Sequence, residues 1–424
     1  MPRTGNVTND NDYEKFRLMS RLLNHENELT TEEHLALNDE FGAHNYLPLP
    51  VVYERTKGVW AWDIDGNKYL DFLSAYSSQN AGYCHPKIVK ALCDTAKHLG
   101  VPSRAFLSET QGPFTAELAE FCQKDMVLLM NTGAEAVETA IKTARLWGYK
   151  TKGVPEGKAE IIVMDGNFHG RTTTIVGFSS EKLYKDGFGP FTPGFVSVPY
   201  GDDRALYNAI TPNTVAILFE PIQGEAGIKV PPDGYLQNIR DMCDGDNVLM
   251  IADEIQVGLG RTGYRFACDH EEVVPDLYIL GKALGGGLYP VSAVVGDKDT
   301  LGLFIPGQHG STFGANPIAC AVGRAYLRVY HEEDLAYRSK NAGEYFMKKL
   351  REINSPYIKE IRGRGLLIGV ELDRAARPFC EALKELGLLC KETHGNIIRL
   401  APPLIITQKQ IDWAIKRIKK VLEA

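Results

Sequence analysis

One lysine stands where an apolar run gives way to glycines, in Ile279-Leu280-Gly281-Lys282-Ala283-Leu284-Gly285-Gly286-Gly287. Burial disfavours the charged ammonium, and a neutral lysine amine can form a Schiff base and later shuttle a proton. The glycines leave room for a flat ring to approach the backbone. A lysine beside glycines is also a common solvated loop residue, so Lys282 needs corroboration. Asp253 offers some, because it closes the apolar run Val248-Leu249-Met250-Ile251-Ala252. A carboxylate there is costly to bury unless it is paired. A protonated pyridine nitrogen would pair with it, and pyridoxal phosphate needs such a partner to act as an electron sink. Capping of the following turn is the plainer alternative. A third piece, Asn131-Thr132-Gly133-Ala134-Glu135-Ala136, joins a strand pattern to a helix pattern. Backbone N–H groups of Gly133 and Ala134 would make a phosphate seat at the helix start. A tight turn with Thr132 as N-cap is equally compatible.

Gly258-Leu259-Gly260-Arg261-Thr262-Gly263 satisfies the dinucleotide spacing G-x-G-x-x-G. That motif should open a helix directly after its strand. Here residues intervene from Glu254 on, and Tyr264-Arg265-Phe266 is no amphipathic helix start, so nucleotide binding is rejected.

The elements that must position these residues alternate along the chain. Short aliphatic or β-branched runs at 127–130, 160–164, 214–220, 248–252, 277–280 and 291–295 are separated by turn-rich or helical stretches, with a helix over 134–147. Such continuously apolar strands are buried on both faces, as in a mostly parallel sheet covered by helices, and ligands bind at the carboxyl ends of its strands. Helical patterns over 315–330 and 345–350 follow, then a strand at 366–372, a helix near 378–386, a strand near 397–400 and a closing helix over 408–422. The expectation is an α/β protein: an N-terminal segment (1–75) contributing to a small domain, a large domain (76–322) and a C-terminal small α+β domain (323–424). Short strands around Asp65-Gly66-Asn67 should pack with that small domain.

Composition narrows the function further. A net charge of −7 argues against a nucleic-acid surface. No apolar run approaches the roughly 20 residues of a membrane helix. The eight cysteines form no C-x-x-C pair and the ten histidines no H-E-x-x-H, so neither a disulfide framework nor a metal site is expected. The first 40 residues, with Asp10, Asp12, Glu14, Glu26 and Glu32, read as a tail or small docking segment. They are too acidic for a good mitochondrial presequence. A cytoplasmic enzyme is expected, or a mitochondrial one if a presequence is missing.

Several patterns in one order resemble the class III ω-aminotransferases among the fold-type I pyridoxal-phosphate enzymes: Asn131–Ala136, Asn167-Phe168-His169-Gly170-Arg171, Glu220-Pro221-Ile222-Gln223-Gly224-Glu225, Asp253–Gln256, Gly281-Lys282 and His309-Gly310-Ser311-Thr312. The resemblance runs from about Gly42 to the end. Within that group, Gly42-Ala43-His44-Asn45-Tyr46, Phe72-Leu73-Ser74-Ala75-Tyr76 and Ile398-Arg399-Leu400-Ala401-Pro402-Pro403 look most like the ornithine-specific branch. The resemblance implies a large domain with a mostly parallel seven-stranded sheet. It makes Lys282 the Schiff-base lysine, Asp253 the partner of the pyridinium, Gln256 a hydrogen-bond partner of the ring hydroxyl and Phe168 the stacking ring. Gly133 and Ala134 would seat the phosphate, joined by Ser311 and Thr312 of a neighbouring subunit in a symmetric homodimer. For substrates it implies Tyr46 on the α-amino group of ornithine and Arg171 on the distal carboxylate. Arg399 would take the α-carboxylate of 2-oxoglutarate, with Glu225 covering Arg399 while ornithine is bound and Tyr76 lining the pocket. N-acetylornithine and 4-aminobutyrate are the alternative amine donors.

Overall fold

The computed structural model describes residues 29–424 of the chain, which divides into two compact units. The first holds the residues up to Thr56 together with Trp60–Tyr69. Its helix Thr31–Phe41 starts with a reciprocal cap, Glu33 N–H donating to Thr30 Oγ1 (3.2 Å) and Thr30 N–H to a Glu33 carboxylate oxygen (2.9 Å). The acidic residues noted at 10, 12, 14 and 26 lie outside the described residues; from Thr31 on, the expected tail is this helix, with no buried residue. The strands β1 (Tyr53–Lys57), β2 (Trp60–Asp63) and β3 (Lys68–Asp71) follow. The turn between β2 and β3 passes through Gly66 at φ +82°. Asp63 holds it by accepting from Asn67 N–H (2.8 Å) and Tyr69 Oη (2.8 Å).

The second unit, Lys57–Val59 and Leu70–Ala424, contains the large sheet. Its strands are β4 (Met126–Met130), β5 (Glu160–Met164), β6 (Phe195–Val198), β7 (Thr214–Phe219), β8 (Leu249–Asp253), β9 (Leu277–Leu280) and β10 (Ser292–Gly296). Their order is β4-β10-β9-β8-β7-β5-β6; β10 runs antiparallel to both neighbours and the other pairs are parallel. The seven-stranded, mostly parallel sheet expected above is therefore present. Its two faces follow the strand period of two. Ile161, Val163, Leu218, Ile251 and Ile279 pack in one core with the helix Gly133–Trp147. Ile162, Met164, Ile217, Phe219 and Met250 pack in the other with the helix Tyr235–Asp246. Each fully buried aliphatic side chain contributes about 1.5–3 kcal/mol.

A smaller antiparallel sheet, order β11-β12-β15-β14, comprises β11 (Ile358–Arg364), β12 (Leu367–Leu372), β14 (Lys391–Thr393) and β15 (Ile397–Leu400). Just before β14, the two-residue β13 (Leu388–Leu389) pairs parallel with Leu70 and Asp71. The helix expected over 345–350 is longer, Leu335–Arg351. Its buried stripe is Leu335, Ser339, Gly343, Phe346 and Leu350, so a serine and a glycine occupy core positions and hide the apolar period. A Cβ on Gly343 would run into the backbone of Gly365. Strands β6 and β11 were not expected; β11 has no buried residue and reads as polar.

Candidate active site

Adjacent strand ends bring the first three pieces together. Asp253 closes β8 opposite Ile279 of β9, three residues before Lys282. Ile255 links them to the turn at Gly133: an added Cβ on Gly133 would lie 3.0 Å from it, and one on Gly281 would lie 3.5 Å from it. Ser292 of β10 donates to Thr132 O at 2.7 Å and ties down the same turn. Lys282 adopts φ +44°, and Gly286 and Gly287 after it are also left-handed. Burial pushes its amine below a lysine's ordinary pKa; Glu225 opposes that shift and Arg399 adds to it.

The helix Gly133–Trp147 begins with Thr132 as N-cap, its hydroxyl accepting from Glu135 N–H. Glu135 reaches back to the N–H groups of Asn131 and Thr132. Capping and anion binding are not exclusive here. The N–H groups of Gly133 and Ala134 have no acceptor among the described residues and sit at the positive end of a four-turn helix. Ser311 Oγ lies beside this turn, accepting from Asn131 Nδ2 at 2.9 Å, while Thr312 is exposed.

Asp253 is 4% exposed, and its carboxylate is fixed on both sides. Oδ2 pairs with His169 Nδ1 at 2.7 Å and Oδ1 accepts from Ile255 N–H at 3.1 Å. Burial depresses the His169 imidazolium, but the hydrogen bond and charge of Asp253, with Glu220 behind it, outweigh burial and raise its pKa. Glu220 accepts from the Phe168 N–H at 2.9 Å and so holds the loop carrying that ring. Burial pushes the Glu220 carboxyl up to about 7, with His169 pulling the other way. Gly170, at φ +133°, lets the same loop approach Ala134; a Cβ there would lie 3.1 Å from the Ala134 Cβ. Arg171 is exposed, its guanidinium 4.4 Å from the Tyr184 ring centroid and 5.7 Å from that of Phe168.

The third cluster is ionic. Arg399 is 1% exposed on β15, and its Nη1 donates to Glu225 Oε1 at 2.7 Å. The same oxygen accepts from Gln256 Nε2 at 2.9 Å. Gln256 Oε1 is buried without a partner among the described residues, and it lies where a Cβ on residue 224 would be, which explains the glycine there. Burial raises the Glu225 carboxyl, but Arg399, Gln256 and Lys282 together bring it below the usual carboxylate range. Arg399 Nε and Nη2 are buried and without acceptors among the described residues, so one edge of the guanidinium is a vacant carboxylate fork. The Tyr76 ring centroid lies 5.1 Å from Arg399 Cζ.

Tyr76 is held in an unusual way. Ser74, Ala75, Tyr76 and Ser77 have φ of +51°, +44°, +58° and +76°, one turn of left-handed helix without a glycine. Each such residue costs roughly 1–2 kcal/mol. Tyr46 belongs to the first unit, follows a tight Asn45 N–H to Ala43 O turn and is 72% exposed.

The residues suit pyridoxal phosphate on four separate counts: an amine depressed by burial, a fixed buried carboxylate and, among the described residues, a helix start with unused N–H groups and a buried amide oxygen without a partner. Sequence reasoning gave His169 and Glu220 no role although both stand in quoted motifs. The signal available was a histidine and a glutamate inside otherwise apolar or glycine-bearing segments. It also passed over Asp71, a carboxylate ending a strand of the kind Asp253 ends.

The class-III aminotransferase family model matches residues 41–422. A protein from Brevibacillus brevis named ornithine aminotransferase is 59% identical over 384 residues, covering 91% of this chain and 96% of its own. One of the same name from Bacillus subtilis is 58% identical over 392 residues, covering 92% and 98%. The crystal structure of ornithine aminotransferase from Toxoplasma gondii superimposes with a TM-score of 0.92 at 43% identity and covers 98% of each chain. That of acetylornithine aminotransferase from Elizabethkingia anophelis gives 0.85 at 45% identity, covering 93% of this chain and 99% of its own. By its strand order, its lysine–carboxylate–helix arrangement and a family match over nearly its whole length, the chain belongs to the class-III aminotransferases.

Proposed function

We propose that this aminotransferase moves the δ-amine of L-ornithine to 2-oxoglutarate, giving glutamate and glutamate 5-semialdehyde, which cyclises to pyrroline-5-carboxylate. The observation that carries the reading is Arg399, a buried guanidinium with Nη1 on Glu225 and with Nε and Nη2 lacking an acceptor among the described residues. A pocket that must accept both a diamine acid and a dicarboxylate needs a cation that can be covered and uncovered. The names of the relatives reported above support the same substrate. The Elizabethkingia neighbour favours N-acetylornithine as the second reading.

The cofactor is pyridoxal phosphate, which supplies an electrophilic carbonyl and a protonated ring that takes up electron density. In this reading Gly133 and Ala134 seat its phosphate through backbone N–H groups. Phe168 packs on the ring, Gln256 contacts the ring hydroxyl, and Asp253 keeps the ring nitrogen charged. His169 orients Asp253 and shares its charge. Lys282 anchors the cofactor and moves the proton at Cδ of ornithine, a task that suits an amine with a lowered pKa. Tyr46 receives the α-amino group and Arg171 the distal carboxylate. Arg399 receives the α-carboxylate of the oxoacid once Glu225 swings aside, and Tyr76 walls the pocket.

Ser311 and Thr312 complete the phosphate site of a second copy in a homodimer. Exposed Ile305 (58%) and Phe313 (53%) flank this segment and give it an apolar surface suited to burial between copies. A cytoplasmic location belongs to the same proposal, as does a place between arginine breakdown and proline formation. Single-turnover rates with ornithine, N-acetylornithine and 4-aminobutyrate test it. Ornithine should have the highest kcat/KM; a higher value for N-acetylornithine would replace the substrate assignment with the second reading.

A further inference from the structure

We infer that Asp71 is a positioning residue for amine-donor selection, acting through the left-handed turn that carries Tyr76. This rests on the reading of Tyr76 and Arg399 as substrate-pocket residues.

Asp71 is the last residue of β3 and is 1% exposed. Its Oδ1 accepts from Leu73 N–H at 2.8 Å, and its Oδ2 accepts from Ser74 N–H at 2.9 Å and from Tyr83 Oη at 2.9 Å. The carboxylate therefore grips the backbone at the entrance to the turn. The next four residues are left-handed and none is glycine, so each Cβ crowds a carbonyl oxygen and the segment has a local preference to unwind. Such backbone persists only where its surroundings over-determine it. At the exit, Ser78 and Gln79 N–H groups both donate to Ser74 O (2.8 and 3.1 Å), and Gln79 Nε2 donates to Gly287 O in the Lys282 loop (3.0 Å). The hydroxyls of Ser74 and Ser77 are buried without partners among the described residues, and these side chains add no hydrogen bond from there to hold the turn. Tyr76 N–H donates to Leu73 O at 3.0 Å, and Asp71 is the side chain that fixes the entrance on which that bond is built.

The same short segment also sets the register of Arg399. Phe72 N–H donates to Leu389 O at 2.7 Å, and Phe72 O accepts from Ala401 N–H at 2.7 Å, two residues beyond Arg399. Residues 71–74 are thus the common origin from which Tyr76 and Arg399 are aimed at each other, 5.1 Å apart. Loosening Asp71 should let the turn relax and carry the Tyr76 ring off the guanidinium, while the strands carrying Lys282 and Asp253 stay in place. A carboxylate serving stability alone would instead lower every substrate's rate together.

The test uses holoenzyme carrying Asp71→Asn, Tyr83→Phe, Tyr76→Ala and the double variant Asp71→Asn/Tyr76→Ala. For each, kcat/KM is measured with ornithine and with 4-aminobutyrate, alongside Tm. Asp71→Asn should lower kcat/KM for ornithine about tenfold, the effect of losing one buried charge-assisted bond. It should shift the ornithine to 4-aminobutyrate ratio in the direction that Tyr76→Ala shifts it, and add less than about twofold in the Tyr76→Ala background. Equal losses for both donors, or losses that multiply in the double variant, would overturn the inference. If Tyr76→Ala leaves both donors unchanged, the substrate-pocket reading fails as well; if Tyr76→Ala matters and Asp71→Asn does not, only the role of Asp71 fails. Should Asp71→Asn not fold, Tyr83→Phe removes one donor from the same carboxylate without touching the backbone, and a loss of about threefold with the same ratio shift is expected.

Discussion

Glu225→Gln is the sharpest single perturbation of the proposed substrate site, because it keeps the shape and removes only the charge. Glu225 Oε1 accepts from both Arg399 Nη1 (2.7 Å) and Gln256 Nε2 (2.9 Å), and an amide oxygen can still accept from both. The bond to Arg399 changes from ion pair to charged–neutral, a loss of about 1.5 kcal/mol or roughly tenfold. Two substrates should feel this with opposite sign. In the proposed reading 2-oxoglutarate binds once Glu225 parts from Arg399, so a weaker pair raises kcat/KM for the oxoacid by up to about tenfold. In the same reading ornithine binds with the pair closed, and an incompletely covered guanidinium lowers its kcat/KM by a similar factor. The wild-type carboxyl is held below the usual range, so Glu225 is ionised throughout neutral pH and the sign does not depend on the buffer chosen. Stopped-flow single-turnover rates for each half-reaction, with Tm as a control for folding, measure both. Changes of the same sign for the two substrates would refute the idea that Glu225 covers Arg399.

Lys282→Ala should bind cofactor without a covalent link and lose roughly 10²–10⁴-fold in turnover, read from steady-state rates and the visible absorbance of the desalted protein. Gly224→Ala places a Cβ inside Gln256 Oε1, so Gln256 must leave Glu225; a cost of about 1–3 kcal/mol should appear as a lower denaturation midpoint and weaker cofactor retention on dialysis. His270 donates to Thr262 O at 3.1 Å, and burial, with Arg364 and Lys340 nearby, lowers its pKa to about 4. A histidine with a depressed folded pKa stabilises the fold above its unfolded value and loses that contribution as pH falls from about 6.5 towards 4. His270→Gln should flatten that part of the pH–stability curve by about 2 kcal/mol, a figure reduced from the full shift because the ring is partly solvated; parallel urea curves at pH 7 and 4.5 check it.

The large sheet was legible because its strands are buried on both faces. β5, β9 and β15 coincide with apolar runs in the sequence, as does the closing helix Gln408–Leu422. Where burial is one-sided or carried by small residues the signal fades. The helix Leu335–Arg351 buries Ser339 and Gly343 among its core positions, and β11 lies at an edge with no buried residue. In the site, Lys282, Asp253 and the Gly133 turn were readable because each breaks the local pattern: a cation, an anion and a glycine next to apolar strands. The His169–Asp253 pair spans 84 residues of sequence and the Glu225–Arg399 pair 174, and neither partner specifies the other without a fold. The left-handed turn at Ser74–Ser77 was hidden for a different reason. Local sterics disfavour it for serine, alanine and tyrosine alike, so it has to be imposed by groups outside it, among them the carboxylate of Asp71.

These long-range pairs also explain how so many ionisable groups share one buried region. Asp253 alone would be costly there, but His169 neutralises it and Glu220 supports His169 from behind. Burial pushes Glu220 up to about 7 and so limits its charge, while the His169 imidazole pulls the other way. Arg399 shares one carboxylate with Gln256, and Lys282 feels Glu225 and Asp253 against Arg399. Each cation is thus compensated by a group on another strand end or loop. A change at any one of them must redistribute charge across the rest, and that is why replacing Glu225 should also be visible at Lys282. In the proposed reading, the residues that receive the cofactor and those that sort the substrates are two ends of one network, joined at Gln256 and Glu225.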